Sequence, residues 1–100
     1  MPETYRVRLS ATAGKHLQEI YDYVEEHSAQ NASDLVRRLL DSIDSLGFLP
    51  HRYAVVKDTA AFGMEVRSMP VRPFRVRYHV DDGTLSVTVL SVQHGARQAE

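Results

Sequence analysis

Apolar residues follow a helical period in the first half of this chain and a two-residue period in the second, and that switch most constrains its fold. Ala13, Leu17, Ile20, Tyr21 and Val24 fall on one helical stripe, with Lys15, Gln18, Glu19, Asp22 and Glu25 outside it. Ala32, Leu35, Val36, Leu39, Ile43 and Leu46 form a second stripe. Ser10 is predicted to cap the first helix, because its hydroxyl can accept an orphan backbone N–H. A break is predicted at His27-Ser28. Gly47 is predicted to cap the end of the second helix, with Pro50 beyond it. Two amphipathic helices joined by a short connection predict an antiparallel hairpin.

The remainder reads as strand. Tyr5, Val7 and Leu9 alternate with Arg6 and Arg8, the pattern of a strand with one buried face. Tyr53 to Lys57 is a further short strand candidate, Asp58 to Gly63 a loop, and Met64 to Met69 a strand ended by Pro70. Phe74, Val76, Tyr78 and Val80 alternate with Arg75, Arg77 and His79. Asp81-Asp82-Gly83 is a hairpin signal. Leu85 to Val92 is apolar or β-branched almost throughout, which places that strand inside a sheet. The expected fold class is α+β: an N-terminal strand, an antiparallel two-helix hairpin, then a mostly antiparallel sheet of three to four strands, with the helices over one face. No repeat or linker interrupts the 100 residues, so residues 1–100 are expected to be one domain.

Composition removes several function classes. The chain has no cysteine, which excludes disulfides, thiolate metal sites and a cysteine nucleophile. Its five histidines are not spaced as metal ligands, and neither a glycine-rich phosphate loop nor a G-x-S-x-G turn is present. No metal and no cofactor are therefore expected. No apolar run approaches the roughly 18 residues of a membrane span. The N-terminal segment lacks the apolar core of a signal peptide, so a cytoplasmic protein without membrane association is expected.

The net charge of -1 does not favour a uniformly basic, nucleic-acid-binding surface. The charge is segregated, however. Acids crowd the helical half, whereas Arg67, Arg72, Arg75 and Arg77 fall in a stretch with no acid among them. If Phe74, Val76, Tyr78 and Val80 face the helices, Arg75, Arg77 and His79 face away. Glu65 and Arg67 join them if the neighbouring register allows. Arginines on a rigid sheet can grip phosphates, stabilise an oxyanion or hold a partner's carboxylates. The same spacing also describes a solvated face with cross-strand Glu–Arg pairs. His94, at the end of the last strand and before Gly95, is either a general acid or base or an exposed terminal histidine. The aromatic residues are scattered and read as core, not as a platform for stacking bases.

The ordered set of segments resembles the RelE/ParE superfamily of toxins from type II toxin–antitoxin systems. The segments are Tyr5-Arg6-Val7-Arg8-Leu9-Ser10 with Ala13, Leu17 and Ile20 to Val24; Leu46 to Pro50 with Tyr53; and Gly63-Met64-Glu65-Val66-Arg67. Phe74-Arg75-Val76-Arg77-Tyr78-His79-Val80 resembles the family's aromatic-Arg-Ile-x-Tyr strand, and Val89 to Arg97 its V-x-H-G-x-R close. The resemblance spans nearly the whole chain and implies a toxin neutralised by a cognate antitoxin. It divides into two branches. ParE-like members inhibit DNA gyrase, and the His-Gly-x-Arg ending with the long helix hairpin is more similar to that branch. RelE-like members cut mRNA on the ribosome. For that branch the resemblance implies Arg75 and Arg67 as phosphate-binding cations and His94 as acid or base. A third possibility left open is a noncytotoxic member that binds its antitoxin. Arg67, Arg75, Arg77, His79 and Arg97 are the expected partner-binding residues.

Overall fold

A computed structural model describes residues 4–56 and 63–95. Lys57 and the expected loop from Asp58, apart from Gly63, lie outside the described residues, as does Arg97. The chain forms β1 (Arg6–Leu9), α1 (Ala11–Glu25), α2 (Ala29–Asp44), β2 (Arg67–Val71), β3 (Phe74–Asp81) and β4 (Ser86–His94). Both helices start where the sequence predicts. The Ser10 hydroxyl accepts the Ala13 N–H at 3.0 Å, and the Ser28 hydroxyl accepts the Asn31 N–H at 3.1 Å. Each cap satisfies one of the donors that a helix leaves unpaired at its start.

The four strands form one sheet in the order β1-β4-β3-β2. β3 pairs antiparallel with β2 and with β4, and β1 pairs parallel with β4. β4 is thus an interior strand, as its apolar character predicts. Its inward residues do not keep one phase. Val87 and Val89 point to the core, a bulge follows, and Val92 is inward again. Tyr78 lies opposite Val89 and Arg77 opposite Ser91, which leaves Leu90 as the extra residue. The Ser10 hydroxyl donates to the Leu90 carbonyl at 3.2 Å, and the Val92 N–H donates to His16 Nδ1 at 3.1 Å. Helix α1 therefore supplies partners around the irregularity.

The core lies between the helix pair and one side of the sheet. Ala13 and Leu17 of α1 and Leu39 and Ile43 of α2 meet Val76, Tyr78, Val87, Val89 and Val92. Pro70 does not end β2, which runs on to Val71. The missing N–H of proline is tolerated because β2 is the last strand of the sheet. The segment after Tyr53 forms only an isolated bridge, Val55 to Arg67, beside the start of β2.

Gly47 does not cap α2, whose C-cap is Ser45. Gly47 is buried in a short 3-10 turn, and its carbonyl accepts the Tyr5 N–H at 2.8 Å. A Cβ there would lie 2.9 Å from the Tyr5 carbonyl oxygen. Close approach of two backbones is what requires glycine here. The left-handed conformation is taken further on by Leu49, with φ 50°. Arg52 holds that turn by donating to the carbonyls of Phe48 and Leu49.

Tyr78 is fully buried, and its hydroxyl donates to the Pro50 carbonyl at 2.6 Å. Burial pushes the phenol up to about 12 from 10.0. The folded chain therefore holds this proton more tightly than the unfolded chain. The associated stability is complete below pH 10 and is lost as pH rises through about 12, roughly 3 kcal/mol in all.

Two measurements check this account. Gly47→Ala should lower stability by about 1–3 kcal/mol in urea unfolding, because the strand carrying Tyr5 must move. The urea midpoint should fall between pH 10 and pH 12. Tyr78→Phe should flatten that fall while costing about 1–2 kcal/mol at neutral pH.

Candidate functional site

Strand register decides which side chains share a face. Val76 and Tyr78 point into the core, so Arg75, Arg77 and His79 project from the other side of β3. Gln93, Ser91 and Thr88 of β4 lie opposite them in turn, and Ser68 of β2 lies opposite Arg77. Among the described residues the helices cover only the core side, which leaves this second side as an open face. His79 is half-buried there, its Nδ1–H donating to the Glu65 carbonyl at 2.8 Å.

Two further arginines belong to this face. Val7 of β1 is paired with buried Val87, so Arg6 and Arg8 project to the open side, opposite Ser86 and Thr88. The sequence shows the Arg-x-Arg alternation, yet nothing local says where the first strand sits in the sheet. Only the parallel pairing with β4 brings Arg8, Thr88 and His79 into one row.

Arg67 does not join them. It is paired with Tyr78, and directly opposed residues of an antiparallel pair share a face. Its guanidinium donates to the carbonyls of His51 at 3.1 Å and Tyr53 at 2.8 Å, and ion-pairs with Glu65 at 3.3 Å. The expectation that Glu65 and Arg67 extend the Arg75 face is corrected accordingly. Arg67 braces the 51–53 segment.

His94 is paired with Phe74, and their rings meet edge to face at 5.5 Å between centroids. That places His94 on the helix side, whereas its neighbour Gln93 lies beside Arg75 on the open face. Arg67 pairs with β3 four residues beyond Phe74, about 13 Å along a strand rising ~3.3 Å per residue. The structure therefore does not gather Arg67, Arg75 and His94 around one point.

His94 instead lines a groove of about 590 Å³ on the helix side. Ile20, Val24, Leu35, Phe74 and Val92 give it an apolar lining, and Glu19, Tyr23 and His16 add polar groups. A separate cluster sits at the β3–β4 turn. The Tyr5 hydroxyl donates to Asp82 at 2.6 Å, and His51 Nε2 lies 3.1 Å from the same carboxylate. The tyrosine hydrogen bond, with His51 assisting, holds the Asp82 carboxyl below the usual carboxylate range. Among the described residues no group of three acids or histidines could hold a metal ion, and no helix is long and apolar enough to cross a membrane.

Charge is divided between the two sides. The helices and their junction carry Glu19, Asp22, Glu25, Glu26, Asp34, Asp41 and Asp44, all exposed, against Lys15, Arg37 and Arg38. The open face carries Arg6, Arg8, Arg75, Arg77 and His79. Among the described residues of its strands the acid is Asp81, which accepts the Gly83 and Thr84 N–H groups in the turn.

A family model described as the ParE toxin of the type II toxin–antitoxin system parDE matches residues 7–99. The chain belongs to the ParE toxin family. Solved structures share the fold of this ParE-family chain at low sequence identity. A chromosomal ParDE toxin–antitoxin system from P. aeruginosa aligns with TM-score 0.70 and 19% identity, covering 91% of this chain and 96% of the other. An archaeal RelE–RelB complex from Pyrococcus horikoshii OT3 aligns with TM-score 0.66 and 22% identity, covering 95% and 99%. The toxin–antitoxin complex RelBE2 from Mycobacterium tuberculosis aligns with TM-score 0.63 and 21% identity, covering 92% of each chain. Comparison with curated protein sequences gives no significant match.

The two arginines separate in a stability measurement. Arg75→Ala should leave urea unfolding within about 0.5 kcal/mol of the parent, as at an exposed site. Arg67→Ala should cost about 1–3 kcal/mol, because it strips the His51 and Tyr53 carbonyls of their donor.

Proposed function

We propose that this ParE-family toxin acts by binding and inhibiting DNA gyrase, and that a cognate antitoxin neutralises it. The observation that carries the choice is the dispersal of the three residues that mRNA cleavage would need. Arg67 is committed to the carbonyls of His51 and Tyr53, and His94 lies on the side of the sheet opposite to Arg75. General acid–base chemistry on a ribose 2′-OH needs its groups within hydrogen-bond reach of one substrate. A surface that binds a large partner has no such requirement. Arg75, Arg77 and His79 are then contact residues.

The apolar groove between α1 and the ends of β3 and β4 fits an amphipathic antitoxin segment, whose apolar side chains would meet Ile20, Val24, Phe74 and Val92. The similar structures from P. horikoshii and M. tuberculosis are toxin–antitoxin complexes, which supports a partner of this kind. The ribosome-dependent nuclease is kept as a second reading because RelE chains share the fold almost as closely as the ParDE toxin.

The test is in vitro supercoiling of relaxed plasmid by purified gyrase with increasing toxin. Supercoiling should stop, and added antitoxin should restore it. Unchanged supercoiling together with new 5′ ends on ribosome-bound mRNA would replace this reading with the nuclease.

A further inference from the structure

Arg6, Arg8 and Arg75 are exposed, and none of them forms an ion pair with any described residue. Elsewhere arginines of this chain are put to use: Arg52 and Arg67 hold backbone carbonyls, and Arg38 donates to the Arg72 carbonyl at 2.5 Å. Three exposed guanidiniums on one sheet face without a partner among the described residues, from strands that meet only on folding, therefore stand out. We propose that the open face of the sheet docks on the phosphate backbone of double-stranded DNA through Arg6, Arg8 and Arg75.

The spacing fits a duplex. Arg8 stands level with His79, and Arg75 lies four residues, about 13 Å, further along β3; the two lines of open-face residues, with β4 between them, are about 10 Å apart at the usual ~4.8 Å between strands. That separation lies between the ~6 Å width of the minor groove and the ~12 Å width of the major groove. Arginine side chains can close the difference to the phosphates on either side. Within a row, alternate residues are about 6.6 Å apart, on the order of the through-space separation of successive phosphates along one DNA strand. Thr88, Ser91 and Gln93 of β4 stand between the rows, and Ser68 of β2 beside the β3 row, as neutral hydrogen-bonding groups, which commonly position a protein on phosphates.

The composition of the face selects duplex over single strand. Its positions on the four strands carry no Phe, Tyr or Trp, and the His79 ring is half-buried and hydrogen-bonded to the Glu65 carbonyl, so unpaired bases find no exposed aromatic platform. Apart from Glu65 and the turn residues Asp81 and Asp82, the described acids sit on the helices and their junction, on the far side of the sheet. The resulting field turns the open face toward a polyanion although the net charge is -1. The inference deepens the gyrase reading, since gyrase works on duplex DNA, but the binding it describes needs no gyrase.

The test is fluorescence anisotropy of a labelled duplex of random sequence, titrated with the full chain at several salt concentrations and with no gyrase present. Binding should be weak, with Kd near 10⁻⁴–10⁻⁶ M, and log K should fall against log salt with a slope of about -3 for three phosphate contacts. The double variant Arg6→Ala/Arg8→Ala should weaken binding about tenfold or more and reduce the slope by about two. Arg8→Lys should retain most of the binding, and the helix variants Lys15→Ala and Arg37→Ala should leave it unchanged. On the unaltered chain, DNA should shift the amide NMR signals of residues 6, 8, 75 and 93 but not those of α1 and α2. This readout survives if a variant fails to fold. The proposal is overturned if the parent chain does not bind at low salt, or if the double variant binds equally well. It is also overturned if shifts map to the helices, or if single-stranded RNA of the same length binds more tightly. Gyrase inhibition without DNA binding would remove this inference and leave the gyrase reading in place. DNA binding without gyrase inhibition would do the reverse.

Discussion

Strand β4 is hydrogen-bonded on both flanks, in parallel to β1 and in antiparallel to β3, and its valines hold the helix pair to the sheet. The rest of the structure depends on that double pairing. Joining residues 6–9 to residues 86–89 closes a loop of about eighty residues, which carries a substantial entropic cost before any contact offsets it. The buried faces of Val87 and Val89, opposite Val7 and Leu9, supply the compensating burial. Nearby backbone bonds reinforce the closure: the Tyr5 N–H to Gly47, the Arg6 N–H to Leu85 and the Ser10 N–H to Val89. Gly47 is indispensable to this arrangement because the chain carrying Tyr5 passes against its backbone.

The same pairing sorts the charges. A sheet covered by helices on one side has one wet face, and alternation sends every second residue of each strand to it. In β1 and β3 those residues are mainly basic, while the exposed helix surface is mainly acidic. A protein with almost no net charge thereby gains a strongly polarised surface. Sequence-level charge describes solubility; the fold determines where a partner of either sign would approach.

The fold class was legible because the change of period from helix to strand is unambiguous, and both helix starts carry serine caps that work locally. Boundaries governed by tertiary context were not. Gly47 reads as a helix cap from its position, yet its role depends on Tyr5, forty-two residues away. Pro70 reads as a strand stop, yet an edge strand tolerates it. The bulge at Leu90 is written in the spacing of Val87, Val89 and Val92, two and then three residues. Its effect on which residues face inward appears only once β3 lies alongside. The candidate site was half legible. Arg75, Arg77 and His79 follow from the alternation of their own strand. The displacement of Arg67 follows from the register of β2, and the inclusion of Arg6 and Arg8 from the placement of β1. Neither register nor placement is a local property of sequence.

The two surfaces of the sheet stand back to back on the same strands. Phe74 lines the groove and Arg75 the open face; Val92 and Gln93 repeat the arrangement on β4. A strand keeps adjacent side chains on opposite sides, so a ligand in the groove meets apolar and aromatic groups while one on the open face meets guanidiniums. No compact partner can touch both without passing round an edge of the sheet. Substitutions at Phe74 and Arg75 alter different surfaces although the residues are neighbours in sequence. Any coupling between the two surfaces must travel through the shared backbone of β3 and β4. That backbone is held by paired ladders and a packed core, so it transmits little unless a strand shifts its register. The structure thus separates an apolar groove from a cationic face by the thickness of a single sheet.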